Sequence, residues 1–205
     1  MSWAEYNKKF YQEPNDILCK ENKWLEQIIY NLDIKDKYCL DFGCGVGSWI
    51  PFYLAKGARL TGVDISAEAI QHCEASYPSG KFYRLHKNEI LPFQDDSFDL
   101  VMATWVMQEL CESDELEKYL HEISRILKQH GYFIVVENVY PDPGARKLLA
   151  RTGIGDIFSN GGDMPSRLRF FPMNTMSGFM ESWGFSRRSN SAEGWSFFES
   201  YEKTQ

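Results

Sequence analysis

Residues 40–49 read LDFGCGVGSW, and the reading of this stretch decides the fold. A short apolar run, residues 38–42, stops at Gly43, Gly45 and Gly47, and aromatic and aliphatic residues follow. The run has the length of a buried strand, and residues 48–56 have the character of a helix closed by Gly57. A glycine-rich turn between a strand and a helix lets a ligand come close to the backbone. It also sits beside the unpaired N–H groups and partial positive charge of the helix N-terminus.

The same alternation continues along the chain. Residues 59–65 are predicted as a second strand, and Ser66 caps a helix that runs to Ser76, where Tyr77-Pro78 breaks it. Residues 81–85 form a weaker third strand, LPFQDDSF a turn-rich connection, and residues 98–104 a fourth strand. Ser113 opens the clearest helix: Leu116, Tyr119, Leu120, Ile123, Ile126 and Leu127 recur at helical spacing, and Lys128 and Gly131 end it. YFIVVE (132–137) is a fifth strand, β-branched as in strands covered on both faces. Residues 185–188 and 195–201 suit two closing strands. The pattern predicts an α/β fold, Rossmann-like and doubly wound, with a mostly parallel seven-stranded sheet and helices on both faces. We read residues 1–205 as a single domain with two additions. A polar-aromatic N-terminal helical lid takes residues 1–30, and a Gly- and Pro-rich insertion on the substrate side takes residues 141–170.

The composition narrows the class. Hydrophobic residues make up 43% of 205, enough for a sizeable core. No apolar run approaches the roughly 20 residues of a membrane span, and the N-terminus reads as neither signal nor transit peptide, so a soluble, cytoplasmic protein is expected. Five cysteines without C-x-x-C spacing suggest reduced, mostly buried thiols and no zinc site. The net charge of −7 argues against binding duplex nucleic acid. Residues 141–190 depart from it, with seven basic side chains against four acidic ones.

Two ligand classes use a glycine turn of this kind. Dinucleotide enzymes carry G-x-G-x-x-G, whose third glycine would fall at Ser48. This chain has D-x-G-x-G-x-G instead, and Asp41 is an odd neighbour for a pyrophosphate. S-Adenosylmethionine has no phosphate. It has an ammonium that suits Asp41 and a carboxylate that suits a helix N-terminus. LTGVD then ends the second strand with Asp64, placed to accept hydrogen bonds from ribose hydroxyls, while Ile65 can pack on adenine.

At DFGCGVG, GVDIS, ILPFQDDSFDLV and ISRILKQHGYFIVVE, the chain resembles the class I S-adenosylmethionine-dependent methyltransferases, in order and spacing, from about residue 36 to 140. The resemblance implies S-adenosyl-L-methionine as cofactor, with Asp41, Gly43 and Gly45 on the methionine moiety and Asp64 on the ribose. Many relatives carry an aspartate where this chain has Lys87, so Asn88 or Glu89 is left to meet the adenine. Thr104, at the tip of the fourth strand, completes the expected cofactor set.

Methyl transfer is an in-line displacement that needs orientation, exclusion of water and, for an amine, a nearby proton acceptor. It needs no metal. The candidates follow the fourth and fifth strands: Trp105 to wall the methyl or hold a cation, Glu109 to accept a proton, Asn138 to place the nucleophile. Ordinary packing accounts for the same residue types. FDLVMATWVMQEL and VENV are similar to the protein N-terminal amine methyltransferases, with Glu109 in place of histidine and Glu137 in place of aspartate. Tyr6, Tyr11 and Tyr140 are candidate substrate contacts, and Arg167 and Arg169, alternating in SRLRFF, offer a fork to a substrate carboxylate. The expected acceptor is nitrogen, or less often oxygen, of a small metabolite or peptide amino terminus. Two other readings stay open: a cofactor-binding activator without transfer, and an intramolecular reaction on S-adenosylmethionine.

Overall fold

A computed structural model describes residues 31–86, 89–110, 113–138, 155–157, 168–170, 175–193 and 196–205. The chain divides into two compact units, Met1–Glu89 and Ile90–Gln205. They contribute three and four strands to a seven-stranded, mostly parallel sheet.

In the first unit, β1 (Tyr38–Phe42), β2 (Arg59–Asp64) and β3 (Lys81–Arg84) run parallel with β2 in the centre. The register sets Asp41 opposite Gly62. A side chain at Gly62 would meet the Phe82 ring at 2.8 Å and Cys44 Sγ at 3.0 Å, so glycine lets the loop and β3 close over β2. Helix α1 (Ile50–Ala55) is shorter than the sequence suggests. The turn after β1 makes its own bonds, Gly47 N to Cys44 O and Ile50 N to Gly47 O, which delays the helix until Ile50. Helix α2 (Ala67–Ser76) starts as expected, with Ser66 Oγ accepting from Ala69 N at 3.2 Å. Leu40, Ile50, Tyr53, Val63 and Cys73 are fully buried among these elements.

In the second unit, β4 (Phe98–Thr104) is parallel to β5 (Leu127–Asn138). β9 (Ser196–Lys203) runs antiparallel to both β5 and β8 (Phe185–Glu193). Helix α3 (Ser113–Ile126) buries Leu116, Tyr119, Leu120, Ile123 and Ile126, and α4 (Thr175–Ser182) lies along β8. The fifth strand begins at Leu127, five residues before the alternation in the sequence suggests. The chain enters it directly from α3 and bends at His130, whose φ is +63°. Gly131 permits that bend, because a Cβ there would lie 2.8 Å from Lys128 O. Within 141–170, β6 (Gly155–Ile157) and β7 (Leu168–Phe170) form a separate antiparallel ribbon. The expected lid over residues 1–30 lies outside the described residues.

Among the described residues no helix is long and apolar enough to cross a membrane, and no His/Cys/Asp/Glu group is placed to hold a metal ion.

Candidate functional site

The glycine loop follows β1. Gly43, Gly45 and Gly47 all have positive φ, +74°, +51° and +87°, a region that favours glycine. Their roles differ. A Cβ at Gly47 would lie 2.5 Å from Ile50 Cδ1 and 2.9 Å from Tyr77 Cε2, so Gly47 is required by packing against α1 and the end of α2. Gly43 and Gly45 use their amides internally. Gly43 N and Cys44 N donate to Val63 O at 2.8 and 2.9 Å, and Gly45 N donates to Asp64 Oδ2 at 2.8 Å. These two positions therefore offer a ligand room and curvature, not free donors.

Asp41, next to last in β1, is buried at 2% exposure, and among the described residues its Oδ2 has no hydrogen-bond partner. Burial, and then the neighbouring Asp64 charge, push its carboxyl up to about 7. A carboxyl in that state lacks a cation. Nearby, the Tyr53 hydroxyl of α1 is also buried and, among the described residues, unpartnered, its acidity suppressed first by burial and then by Asp41. Tyr53 carries no functional signal in the sequence, because an aromatic on an apolar helix face reads as packing.

Asp64 ends β2 half-buried. Its Oδ2 takes the Gly45 amide and its Oδ1 takes the Ser66 amide at 2.8 Å. Burial raises this carboxyl, and the backbone hydrogen bonds from Ser66, Gly45 and Ile65 pull the other way. Each carboxylate oxygen keeps acceptor capacity beyond its one amide, which suits a pair of hydroxyls. Ile65, next in sequence, is 52% exposed and presents an apolar face to solvent. Glu89 Oε2 accepts the His86 amide at 2.8 Å, closing a tight turn after β3. Lys87 and Asn88 lie outside the described residues. The orphaned carboxylate, the hydroxyl acceptor and the apolar shelf fit the ammonium, ribose and base of a zwitterionic nucleoside.

The second unit carries the remaining candidates. Thr104 ends β4, and its Oγ1 is buried without a partner among the described residues. Trp105 follows in the left-handed region at φ +56°, its amide donating to Val136 O at 2.7 Å and its Nε1 buried without a partner among the described residues. A non-glycine residue there costs about 1–3 kcal/mol and persists where its surroundings enforce it. The enforcing group is Glu137 of β5. Fully buried, it accepts the Val106 and Met107 amides on Oε1 at 3.0 and 2.7 Å. Glu109 sits in the 3-10 turn Met107–Glu109, where burial pushes its carboxyl up to about 7. Strand β7, which contains Arg169 opposite Asp156, packs against this turn. Asn138 closes β5 opposite Ser196. Tyr6, Tyr11, Tyr140 and Arg167 lie outside the described residues, as do the side chains of Asn138 and Arg169.

Sequence reasoning also missed a clamp. Arg125 Nη1 donates to Phe93 O at 2.8 Å and Nη2 to Leu91 O at 3.1 Å, while Glu122 Oε2 accepts the Leu91 amide at 3.0 Å. The pair, joined at 2.7 Å, ties the LPFQDDS loop to α3.

A family model described as a methyltransferase domain matches residues 40–135. The sterol 4-C-methyltransferase of Caenorhabditis elegans is 32% identical over 110 residues, 49% of this chain and 30% of that protein. The malonyl-[acyl-carrier protein] O-methyltransferase of Hamiltonella defensa is 31% identical over 102 residues, 50% of this chain and 38% of that protein. The chain thus spans about a third of the length of these curated relatives. A solved structure of an S-adenosylmethionine-dependent methyltransferase from Methanosarcina mazei shares the fold. It has 21% identity and a TM-score of 0.73, and 86% of this chain aligns with 96% of that one.

Proposed function

We propose that this chain is a class I S-adenosylmethionine-dependent methyltransferase that transfers a methyl group to an amine nitrogen of a small molecule or a peptide amino terminus. The observation that carries the cofactor half is Asp41: a buried carboxylate oxygen without a partner, beside a glycine turn, held at about 7. Asp41 would hold the α-ammonium and return to its ionised form beside it. Asp64 would take the ribose hydroxyls, and Ile65 would cover one face of the base. When bound, S-adenosylmethionine supplies a methyl carbon on a cationic sulfur.

In the second unit, the choice of nitrogen rests on Glu109. A carboxyl titrating at about 7 is matched to accept a proton from an ammonium-bearing acceptor near neutrality. Glu137 holds the turn that carries it, and Trp105 contributes an indole that excludes water. Oxygen is the second reading, favoured by the O-methyltransferase among the relatives.

Calorimetry with S-adenosylhomocysteine tests the cofactor half. The wild type should bind, and Asp64→Ala should weaken binding about tenfold to a hundredfold for each ribose hydrogen bond it loses, since charge-assisted hydrogen bonds are worth roughly 1.5–3 kcal/mol each. No binding by the wild type sinks the proposal. Incubation with methyl-labelled cofactor and pooled amines or hydroxy compounds then separates nitrogen from oxygen transfer. Absence of transfer to any pool would favour a cofactor-binding activator, and cofactor breakdown without an acceptor would favour an intramolecular reaction.

A further inference from the structure

The glycine loop carries a second chemistry that cofactor binding does not require. Cys44 lies inside the loop and Cys73 on α2, and both are free thiols, 6% and 0% exposed. They converge on one atom. Cys73 Sγ donates to Gly45 O at 3.3 Å, and Cys44 Sγ reaches the same oxygen at 3.7 Å. The two sulfurs also border the loop's tightest approaches. Cys73 Sγ would lie 3.2 Å from a Cβ on Gly47, and Cys44 Sγ 3.0 Å from one on Gly62. Cys44 itself sits between Gly43 and Gly45, two left-handed residues whose backbone rotates without a side-chain penalty.

We propose that Cys44 and Cys73 form a redox modification site, in which a peroxide joins them in a disulfide that resets the glycine loop and weakens ligand binding there. The reaction balances in two steps. One thiol, as its thiolate, attacks a peroxide oxygen and becomes a sulfenic acid, with the other oxygen leaving as water or alcohol. The second thiol then attacks that sulfur, forms the S–S bond and expels water, so two electrons pass to the peroxide.

Closing the sulfurs to a bond of about 2.05 Å removes both S–H donors from Gly45 O and pulls Cys44 toward α2. The adjacent amide is the one that holds Asp64 Oδ2, so the acceptor for the ligand's hydroxyls moves with it. The hydrogen bond to Cys73, and then burial, keep the Cys44 thiol well above its ordinary range. The pair therefore resists mild oxidation.

The ligand half of this proposal rests on the cofactor reading given above, and the test separates the two. The full chain is treated with hydrogen peroxide, alkylated under denaturing conditions and digested. The expected product is a Cys44–Cys73 cross-linked peptide that disappears with dithiothreitol and is absent from Cys73→Ala. Affinity for S-adenosylhomocysteine should fall at least tenfold on oxidation and recover on reduction. Amide hydrogen exchange over residues 43–47 should change in parallel, whether or not the ligand binds. A different pairing, no cross-link, or a cross-link that leaves exchange in the loop unchanged overturns the proposal. Failure of the reduced protein to bind S-adenosylhomocysteine overturns the cofactor reading instead.

Discussion

Replacing Asp41 by Asn should make the protein more stable and a poorer binder, and the stability gain should depend on pH in a calculable way. The Asp41 carboxyl rises from 3.8 to about 7 on folding, so between those values the native state holds a proton that the unfolded chain has released. Native stability is therefore eroded as pH climbs through this window, and the loss is complete above it. At about 1.36 kcal/mol per unit, the ionised carboxylate costs the unligated fold about 4 kcal/mol above neutrality. Only a fraction of that cost is present at pH 5. Asn carries no charge and loses the whole slope. The gain of Asp41→Asn over the wild type should be about 2–3 kcal/mol larger at pH 8 than at pH 5, or roughly 5–10 °C in the thermal midpoint of a chain of this size. Asp64 shares the field with Asp41, and removing the Asp41 charge relieves it too, in the same direction. Other titrating groups, Glu109 among them, are common to both proteins and cancel in the difference. Urea or thermal melts of both proteins at the two pH values measure it, and calorimetry with S-adenosylhomocysteine supplies the counterpart. The lost charge-assisted contact should cost about 1.5–3 kcal/mol of affinity. A stability gap that is the same at both pH values would refute the reasoning, because it would mean that Asp41 carries no buried proton to lose.

Two further substitutions probe different parts of the argument. Gly47→Ala combines a left-handed backbone with a Cβ placed 2.5 Å from Ile50 Cδ1. It should lower stability by about 2–4 kcal/mol in denaturant melts, and a neutral variant would show that the loop repacks freely. Glu109→Gln removes the carboxyl held at about 7. With an acceptor amine in hand, the wild-type rate should rise with pH through that value, as the carboxyl ionises and becomes a proton acceptor. The variant should be slow and lack that limb, and retention of the limb would assign it to another group.

The parts of this molecule that were legible in its sequence are those with local causes. Ser66 caps α2 through its own hydroxyl, Gly57 closes α1 at φ +73°, and the apolar run in β4 announces a strand. Asp41, Asp64 and the glycines could be marked as a site because spacing alone sets them at the carboxyl ends of adjacent strands. What those residues do for one another could not be read, because each bond joins distant parts of the chain. Asp64 grips Gly45 across 19 residues, Glu137 holds Val106 across 31, and Arg125 reaches Phe93 across 32. The same limit explains the misplaced start of β5. Leu127 continues the apolar period of α3, so periodicity carries the helix one residue too far. The strand is decided by pairing of Leu127 with Phe98, which no window along the chain contains. The division has a functional side. The groups that would touch the ligand lie at strand ends, where chemistry is visible in composition. The carboxylates and the guanidinium that fix loop geometry look like ordinary surface charges until the fold buries them. Asp41 marks the boundary, since its residue type and position were readable but the unpaired oxygen that gives it a role exists only once β1, β2 and α1 have closed around it.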